Sequence, residues 1–160
     1  RNPDAQAYNS GKDIFINLTN GVMDESLSNY HNLKSALFHE SLHKNGMRGD
    51  GIPHAKVYSI QMEQTDFKRS TQRFKEGAAG GMCGELVKGM EAFDTEEQVR
   101  EFLVGFNKKH SKTLGFSIEF VARGNSLSQD GSRDYIFKYT SNKKDVKSGS
   151  ITINSKQVME

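Results

Sequence analysis

The sequence predicts an α+β fold, and three observations support that prediction. Over much of residues 28–110, apolar side chains recur at intervals of three and four, which is the period of a helix with one buried face. From residue 111 onward, apolar and polar residues alternate, which is the period of a strand. The length of 160 residues suits one hydrophobic core better than two. We therefore expect a single domain over 1–160, with a strand and several helices in 1–110 and a β-rich part in 111–160.

The N-terminal segment is expected to be irregular up to a first strand. Asn2 and Pro3 begin a turn-rich stretch of about a dozen residues. Segment 13–18 is apolar, with Ile14 and Ile16 two positions apart, and this spacing predicts a strand. It is the only regular element predicted before residue 28.

Two helices are predicted on either side of a glycine-rich connector. Leu33 and Leu37 belong to an apolar series with helical spacing over about 28–45. Gly46 is suited to end that helix, because glycine adopts a left-handed conformation without strain. The connector then leads into a second helical pattern over about 54–68.

The next segment, 69–93, has helical character but is rich in glycine. Its five glycines are at positions 77, 80, 81, 84 and 89. Glycine costs about 1 kcal/mol relative to alanine inside a helix, so the segment is expected either to be broken or to pack very closely against another backbone. Thr95 and Gln98 then form a capping-box pattern, which predicts the start of a helix that ends near His110.

The C-terminal part is predicted to be a three-stranded antiparallel meander. Apolar residues alternate with polar ones at 116–120, 135–139 and 151–153. Strands with this pattern bury one face and leave the other to solvent, which is typical of an antiparallel sheet.

Composition argues against several classes of function. The net charge is +2 and the lysines are scattered, so no nucleic-acid partner is expected. No apolar run approaches the roughly 18 residues that a membrane-spanning helix needs. Cys83 is the single cysteine, so no internal disulfide forms, and we expect its thiol to pack between helices rather than act as a nucleophile. The chain begins with Arg1 rather than Met, which is consistent with a domain cut from a longer protein.

The strongest chemical signal is a histidine pair on the first predicted helix. His39 and His43 are four residues apart, so both imidazoles leave the same helix face and can reach one zinc ion at about 2.0–2.1 Å. Glu40 is placed by the same turn to act as a general base on the reacting water rather than as a ligand. The alternative is a set of ordinary residues on an amphipathic helix. Against it, the strand at 13–18 resembles the edge strand that zincin-fold peptidases set beside the active-site helix to bind extended substrate.

A catalytic zinc ion needs three protein ligands and one open position, so a third ligand is expected. His54 ranks first, because it begins the second helix and shares a polar helix face with Gln61. Glu63 ranks second, since its position twenty residues after His43 resembles that of the third ligand in thermolysin-like gluzincins, although it points away from His54 on a straight helix. Asp50 ranks third, because it lies in the flexible connector.

Two further side chains lie near this cluster in sequence. Tyr58 is one turn after His54, from where its hydroxyl could hydrogen-bond a developing oxyanion. The alternative for Tyr58 is a core residue with a satisfied hydroxyl. His31 lies eight residues before His39 and is expected to be exposed.

The segment 39–74 resembles bacterial polymorphic-toxin metallopeptidases, which are found as C-terminal domains of RHS-type and related secreted proteins. The resemblance rests on His-Glu-Ser-Leu-His-Lys-Asn from position 39, on His-Ala-Lys-Val-Tyr-Ser-Ile-Gln from position 54, and on Phe67, Thr71 and Phe74. It implies a zincin domain, a protein target, a cognate immunity protein, and delivery by a bacterium as the C-terminal part of a larger protein. It also favours His54 as the third ligand.

We therefore expect a zincin-like zinc endopeptidase in which His39, His43 and His54 bind Zn²⁺ and Glu40 and Tyr58 act in catalysis. One rival is a hydrolase with the same metal chemistry that acts on a non-peptide amide. A second rival is a non-catalytic module, in which zinc is structural or absent and the C-terminal strands bind a partner protein.

Overall fold

The computed structural model describes residues 6–124 and 127–159. The strands are Ala7–Ser10 (β1), Asp13–Ile16 (β2), Leu18–Thr19 (β3), Val22–Met23 (β4), Phe116–Arg123 (β5), Asp134–Ser141 (β6) and Gly149–Asn154 (β7). A 3-10 helix, Glu25–Ser28, precedes the α-helices, which are Tyr30–Lys44 (α1), Ile52–Glu63 (α2), Thr65–Lys68 (α3), Gln72–Ala92 (α4), Glu96–Leu114 (α5) and Ser155–Met159 (α6). The predicted α+β class is confirmed.

The N-terminal segment contains a β-hairpin where an irregular stretch was predicted. β1 pairs antiparallel with β2, from Ala7 opposite Ile16 to Ser10 opposite Asp13. Gly11 lies in the turn with a φ of +60°. The prediction of a strand at 13–18 is right for its first four residues, and the prediction of irregular structure before it is wrong for β1. Asn2 and Pro3 lie outside the described residues.

The helix that carries the histidine pair has clear boundaries. The Asn29 side chain accepts hydrogen bonds from the backbone N–H groups of His31 and Asn32, which caps the start of α1. The helix ends at Lys44, and Gly46 has a φ of +100°, as predicted for a residue just beyond a helix end.

The second predicted helix, 54–68, is two helices in the structure. α2 ends at Glu63 because Gln64 is extended, with a ψ of 146°, and α3 follows at once. The break lets Asp66 of α3 reach α1, where its Oδ1 lies 2.8 Å from His31 Nδ1. His31 is therefore partly buried, in a hydrogen-bond contact with Asp66, and the prediction that it is exposed is wrong.

The glycine-rich segment forms one unbroken helix, α4, and two of its glycines, Gly81 and Gly89, allow close packing. A Cβ atom at Gly89 would lie 2.7 Å from the Cα atom of Gly51 and would also collide with the Asp94 carboxylate. Asp94 Oδ2 in turn accepts a hydrogen bond of 3.0 Å from the backbone N–H of Ile52. Of the two alternatives predicted for this segment, close packing is confirmed, and it holds the first turn of α2 against the end of α4.

The helix α5 begins as predicted and ends later than predicted. The capping box between Thr95 and Gln98 is present. The helix continues past His110 to Leu114, and Gly115 ends it with a φ of +87°. His110 is buried, and its Nε2 atom lies 2.7 Å from the Ser59 hydroxyl of α2, so it joins two helices instead of marking an end.

The C-terminal sheet confirms the predicted antiparallel meander, with strand order β5-β6-β7. Phe116, Ile118 and Phe120 of β5 are buried, and β5 packs on α5. Cys83 of α4 is buried and its Sγ atom lies 3.8 Å from the Tyr139 hydroxyl of β6, which confirms that it is a packing residue. The short helix α6 was not predicted.

One hydrophobic cluster includes buried residues from the helical part and from the sheet. Among the described helices, none combines the length and the apolar character that crossing a bilayer requires.

Candidate metal centre

Three histidines meet at one point between α1 and the first turn of α2. The Nε2 atom of His43 lies 3.1 Å from Nε2 of His39 and 3.1 Å from Nε2 of His54. The remaining distance, between the Nε2 atoms of His54 and His39, is 3.4 Å. The tertiary structure thus brings together all three histidines that were predicted as ligands. In each ring, the Nε2 atom faces the other two rings.

The ring of His39 is oriented by a buried amide. Its Nδ1 atom lies 2.9 Å from Oε1 of Gln61. The Gln61 Nε2 group donates to the carbonyl and to the hydroxyl of Ser35, at 3.1 and 3.0 Å, so the amide oxygen is the atom that faces the histidine. Because that oxygen can only accept, His39 carries its proton on Nδ1 and has a lone pair on Nε2.

In the other two rings, too, an oxygen atom faces Nδ1 and leaves Nε2 for the metal site. His43 Nδ1 lies 2.8 Å from the carbonyl oxygen of Met47, which can only accept. His54 Nδ1 lies 3.2 Å from Oε2 of Glu85, a largely buried carboxylate on α4. Burial raises the pKa of Glu85, but His54 and Lys88 together outweigh this effect and hold the pKa below its usual value. Glu85 Oε2 has no hydrogen-bond partner among the described residues, and this ionised carboxylate favours a proton on the Nδ1 atom of His54 that faces it, which leaves a lone pair on His54 Nε2.

This arrangement fits a zinc ion. Two nitrogen atoms bound tetrahedrally to one zinc ion at about 2.0–2.1 Å lie about 3.3–3.4 Å apart, close to the three distances observed here. Three lone pairs that converge at this distance repel one another unless a cation lies between them. A proton acceptor on the far nitrogen of each ring is also the usual arrangement around histidine ligands in zinc proteins.

Burial keeps two of the three imidazoles uncharged and available to a cation. Burial, followed by the neighbouring His43, lowers the pKa of His39 to about 3. Burial also lowers the pKa of His43, against the hydrogen bond to the Met47 carbonyl. Both rings are therefore neutral near pH 7, as metal ligation by imidazole requires.

Glu40 lies beside the histidines on the wall of a large cleft. Burial raises the pKa of its carboxyl to about 7, while His54 and a hydrogen bond from the backbone N–H of Asn9 act to lower it. A divalent cation held by the histidines would favour the ionised carboxylate further. The carboxylate thus faces both the cleft and the strand β1.

Tyr58 packs directly against two of the histidines. Its ring centroid is 4.5 Å from that of His39 and 5.6 Å from that of His54, with which it is stacked. Its hydroxyl group fits against Gly81 of α4, where a Cβ atom would lie 2.5 Å away. Among the residues that the structure describes, none forms a hydrogen bond with this hydroxyl.

The two rival third ligands are placed differently. Glu63 is 51% exposed at the end of α2, where its Oε1 atom lies 4.0 Å from Lys109 Nζ. Among the described residues, it does not belong to the group of possible metal ligands that His39, His43 and His54 form. Asp50 is exposed and forms a second possible ligand group with His54 and Glu85. The geometry therefore favours His54 as the partner of the pair on α1.

A cleft of about 1040 Å³ opens beside the histidine cluster. Its floor and walls include residues of β1, the 3-10 helix, α1, α2 and the first turns of α4, among them Ala7, Glu25, His39, Glu40, Tyr58, Arg73 and Gly77. A smaller pocket of about 390 Å³ is lined by His43 and His54 and by residues of the connector between α1 and α2. The large cleft is lined by His39 and the small pocket by the other two histidines.

The strand that borders the cleft is β1, although segment 13–18 was predicted to play this part. Asn17 N–H donates to the Gln6 carbonyl, and hydrogen-bonded pairs alternate in an antiparallel ladder, so the backbone groups of Ala7 and Asn9 point away from β2. Ala7 lines the cleft, and Asn9 donates to Glu40. The edge of the hairpin beside α1 therefore belongs to a strand that the sequence pattern did not predict.

Sequence reasoning missed Glu85 and assigned no role to Gln61. Gln61 lies seven residues after His54, on the same helix face, which is a signal that could have identified it. Glu85 lies 31 residues after His54 on a different helix, and no spacing in the sequence indicates the contact.

Comparison with known proteins identifies a family. The model of the metallopeptidase toxin 2 family matches residues 1–114, and the end of the match coincides with the end of α5. No curated protein and no solved structure matches the chain. The resemblance to polymorphic-toxin metallopeptidases that was noted in residues 39–74 is thereby confirmed. Because the match spans 114 of 160 residues, this chain belongs to the metallopeptidase toxin 2 family.

Proposed function

We propose that this chain is a zinc-dependent endopeptidase with a zincin-like active site. His39, His43 and His54 hold the metal, Glu40 is the general base, and Tyr58 stabilises the oxyanion. The observation that carries the proposal is the convergence of three Nε2 atoms at distances suited to zinc, with an oxygen atom facing each Nδ1 atom.

Glu40 performs the proton transfers in this mechanism. A zinc ion bound by the three histidines supplies the Lewis acid that polarises the scissile carbonyl and makes water a better nucleophile. The Glu40 carboxylate takes a proton from the attacking water as the new C–O bond forms. It then gives that proton to the amide nitrogen as the C–N bond breaks, so the carboxylate is regenerated. The hydrogen bond from the Asn9 N–H orients the carboxylate for both steps.

Tyr58 is suited to receive the charge that develops on the carbonyl oxygen. It borders the cleft, its ring is fixed against His39 and His54, and its hydroxyl has no partner among the described residues. Burial and the nearby Glu85 raise its pKa, so the hydroxyl keeps its proton and can donate a hydrogen bond.

The outer edge of β1, which has no strand partner among the described residues, offers a place for the backbone of an extended substrate at Ala7. The polar groups of Ala7 point outward along the cleft wall, beside the active-site residues. An extended peptide that adds to this edge would gain backbone hydrogen bonds and pass Glu40 and the metal. This supports an endopeptidase acting on unfolded or extended segments of a protein.

The function is tested by removing and restoring the metal. We expect the purified protein to contain close to one zinc ion per chain, to cleave casein or a peptide panel, to lose this activity with a chelator, and to regain it with zinc. Cleavage that persists in metal-free protein would contradict the proposal. Hydrolysis of small non-peptide amides without cleavage of any peptide would favour the rival hydrolase.

Glu85 is expected to strengthen metal binding through His54. In the Glu85→Ala variant, the Nδ1–H of His54 loses its acceptor, so the ring is less firmly oriented and less basic. Loss of such a partner typically weakens metal binding by about 10–100-fold. The measurement is the zinc dissociation constant by competition with a chromogenic chelator, and Glu101→Ala, an exposed carboxylate on α5, is the control. We expect Glu85→Gln to be intermediate, because its amide oxygen still accepts. Unchanged zinc affinity in Glu85→Ala would show that Glu85 does not position His54.

The family's description as a toxin supports a role after delivery from a bacterium. We propose that the protein target lies in a recipient cell and that the producing cell carries a cognate immunity protein. Co-expression with candidate immunity proteins, with survival of the host cell as readout, tests this part of the proposal.

A further inference from the structure

One face of α4 places a carboxylate beside the third histidine of the cluster. Gly81, Glu85 and Gly89 are spaced by four residues, so they lie along this face. One turn before Glu85, Gly81 receives the Tyr58 hydroxyl. One turn after Glu85, Gly89 packs against Gly51 at the start of α2. Two close contacts therefore fix the position of Glu85 relative to α2.

The Glu85 carboxylate is neutralised on one side only. Its Oε1 atom lies 3.1 Å from Nζ of Lys88. Its Oε2 atom is buried, lies 3.2 Å from Nδ1 of His54, and has no hydrogen-bond partner among the described residues. An ionised oxygen that is shielded from water is costly unless a proton or a cation faces it. The side of Oε2 is therefore suited to bind positive charge.

Asp50 brings a second carboxylate to the same place. It lies between Gly49 and Gly51, whose φ angles are +111° and +73°, and the packed contact of Gly51 anchors the backbone there. Among the described residues, none forms a hydrogen bond or an ion pair with the Asp50 carboxylate. The possible ligand atoms of Asp50, His54 and Glu85 all lie within 4.8 Å of one another. Asp50 is exposed and lines the small pocket together with His54, so an ion from solvent can reach this group.

We propose that Asp50, Glu85 and the Nδ1 atom of His54 form a second, weaker site for a divalent transition-metal ion such as zinc, and that an ion in this site withdraws His54 from the catalytic centre. Two carboxylates and one imidazole nitrogen suit zinc better than Mg²⁺ or Ca²⁺, which prefer oxygen ligands alone. The affinity is lower than at the three histidines, because the exposed Asp50 side chain must lose its freedom when it binds.

The two sites compete because a neutral imidazole has one proton and one lone pair. When Nε2 of His54 binds the catalytic ion, Nδ1 keeps the proton that faces Glu85. When Nδ1 binds an ion instead, this proton passes through solvent to Nε2, so the ring stays neutral and Nε2 is no longer a ligand. His39 and His43 then remain as the only histidines of the catalytic centre. Zinc above one equivalent per chain therefore inhibits the enzyme, a consequence that rests on the proposed peptidase function.

The binding test compares two aspartate residues with the same chemical change. Protein that holds one equivalent of zinc is titrated with zinc chloride, and separately with magnesium chloride, by isothermal titration calorimetry. We expect the wild type to bind a second zinc ion about tenfold or more weakly than the first, and to bind no magnesium over the same range. Asp50→Asn should weaken the second binding event by about tenfold or more, at least as much as the loss of a partner of a metal ligand, and leave the first unchanged.

The control is Asp145→Asn, which alters an exposed carboxylate in the loop between β6 and β7 and should leave both binding events unchanged. If the wild type binds no second zinc ion, the second site is overturned. It is overturned as well if Asp50→Asn binds the second ion as tightly as the wild type does.

Peptide turnover at increasing zinc concentration separates the second site from the proposed function. The wild type and Asp145→Asn should lose activity over the range of the second binding event, whereas Asp50→Asn should remain active to about tenfold higher zinc. If the second ion binds through Asp50 but no peptide is cleaved at any zinc concentration, the second site stands and the peptidase function fails. If peptides are cleaved and excess zinc leaves the wild type active, or inhibits Asp50→Asn equally, the competition for His54 is overturned.

Discussion

Replacing Glu40 with Gln is expected to lower kcat by about 10²–10⁴-fold, the contribution typical of a general acid–base group. Glutamine has nearly the same shape as glutamate, and its oxygen can still accept from the Asn9 N–H, but it cannot take a proton from water. None of the three histidines is altered, so the zinc content should stay at the wild-type level. The measurement is the turnover of casein or a fluorogenic peptide, with zinc determined by elemental analysis on the same sample.

Glu63→Gln is the matched control for this experiment. It makes the same chemical change on an exposed carboxylate at the end of α2, which contacts Lys109 at the surface. We expect its turnover to equal that of the wild type. If Glu40→Gln kept full turnover, Glu40 could not be the base, and the mechanism proposed for this site would be wrong.

Replacing His54 with Ala is expected to remove most of the bound metal and all measurable peptidase activity. Its Nε2 atom is one of the three that converge, and the two remaining nitrogens belong to one helix turn. The loss in zinc affinity should exceed the roughly 10–100-fold expected for the loss of a partner such as Glu85. The zinc content after dialysis and the dissociation constant measured by chelator competition provide the readout.

Glu63→Ala and Asp50→Ala complete this comparison, since both residues were candidates for the third ligand. Both should retain wild-type zinc content if His54 is that ligand. A melting temperature for each apo variant, compared with that of the metal-free wild type, shows whether the fold is intact. If His54→Ala kept the wild-type zinc content and either Glu63→Ala or Asp50→Ala lost zinc, that carboxylate would be the third ligand instead of His54.

Local sequence patterns predicted the elements whose stabilising contacts impose a regular pattern on their own residues. The alternation in 116–120, 135–139 and 151–153 predicted the C-terminal strands, because their apolar residues face the core, where they are mostly buried in β5 and β6 and partly buried in β7. The pattern at Thr95 and Gln98 predicted the start of α5, because both hydrogen bonds of a capping box form within one turn.

The elements that were missed depend on partners elsewhere in the chain. β1 shows no apolar alternation of its own, and it is extended because it pairs with β2 and lies against α1. The break between α2 and α3 lets Asp66 meet His31, which is 35 residues away in sequence. Neither contact leaves a periodic signal in the segment that it shapes.

The glycines of α4 show the same difference between what the local sequence predicts and what distant contacts decide. Their helix cost is a property of the sequence, and it indicated a broken or closely packed helix. Only the contacts distinguish Gly89, which is packed against Gly51, from Gly81, which receives Tyr58, and from Gly77, which is open to the cleft. For Gly81 and Gly89, the reason for glycine lies in the atoms of other segments that pack against it.

The sequence by itself determined that the imidazoles of His39 and His43 leave one face of a helix, since a spacing of four residues sets this direction whatever surrounds the helix. Only the tertiary structure decided which distant groups meet them. His54 and Glu85 arrive on two other helices, whose approach depends on close packing across the whole core, and a packed core is a property of all its side chains together rather than of any local spacing.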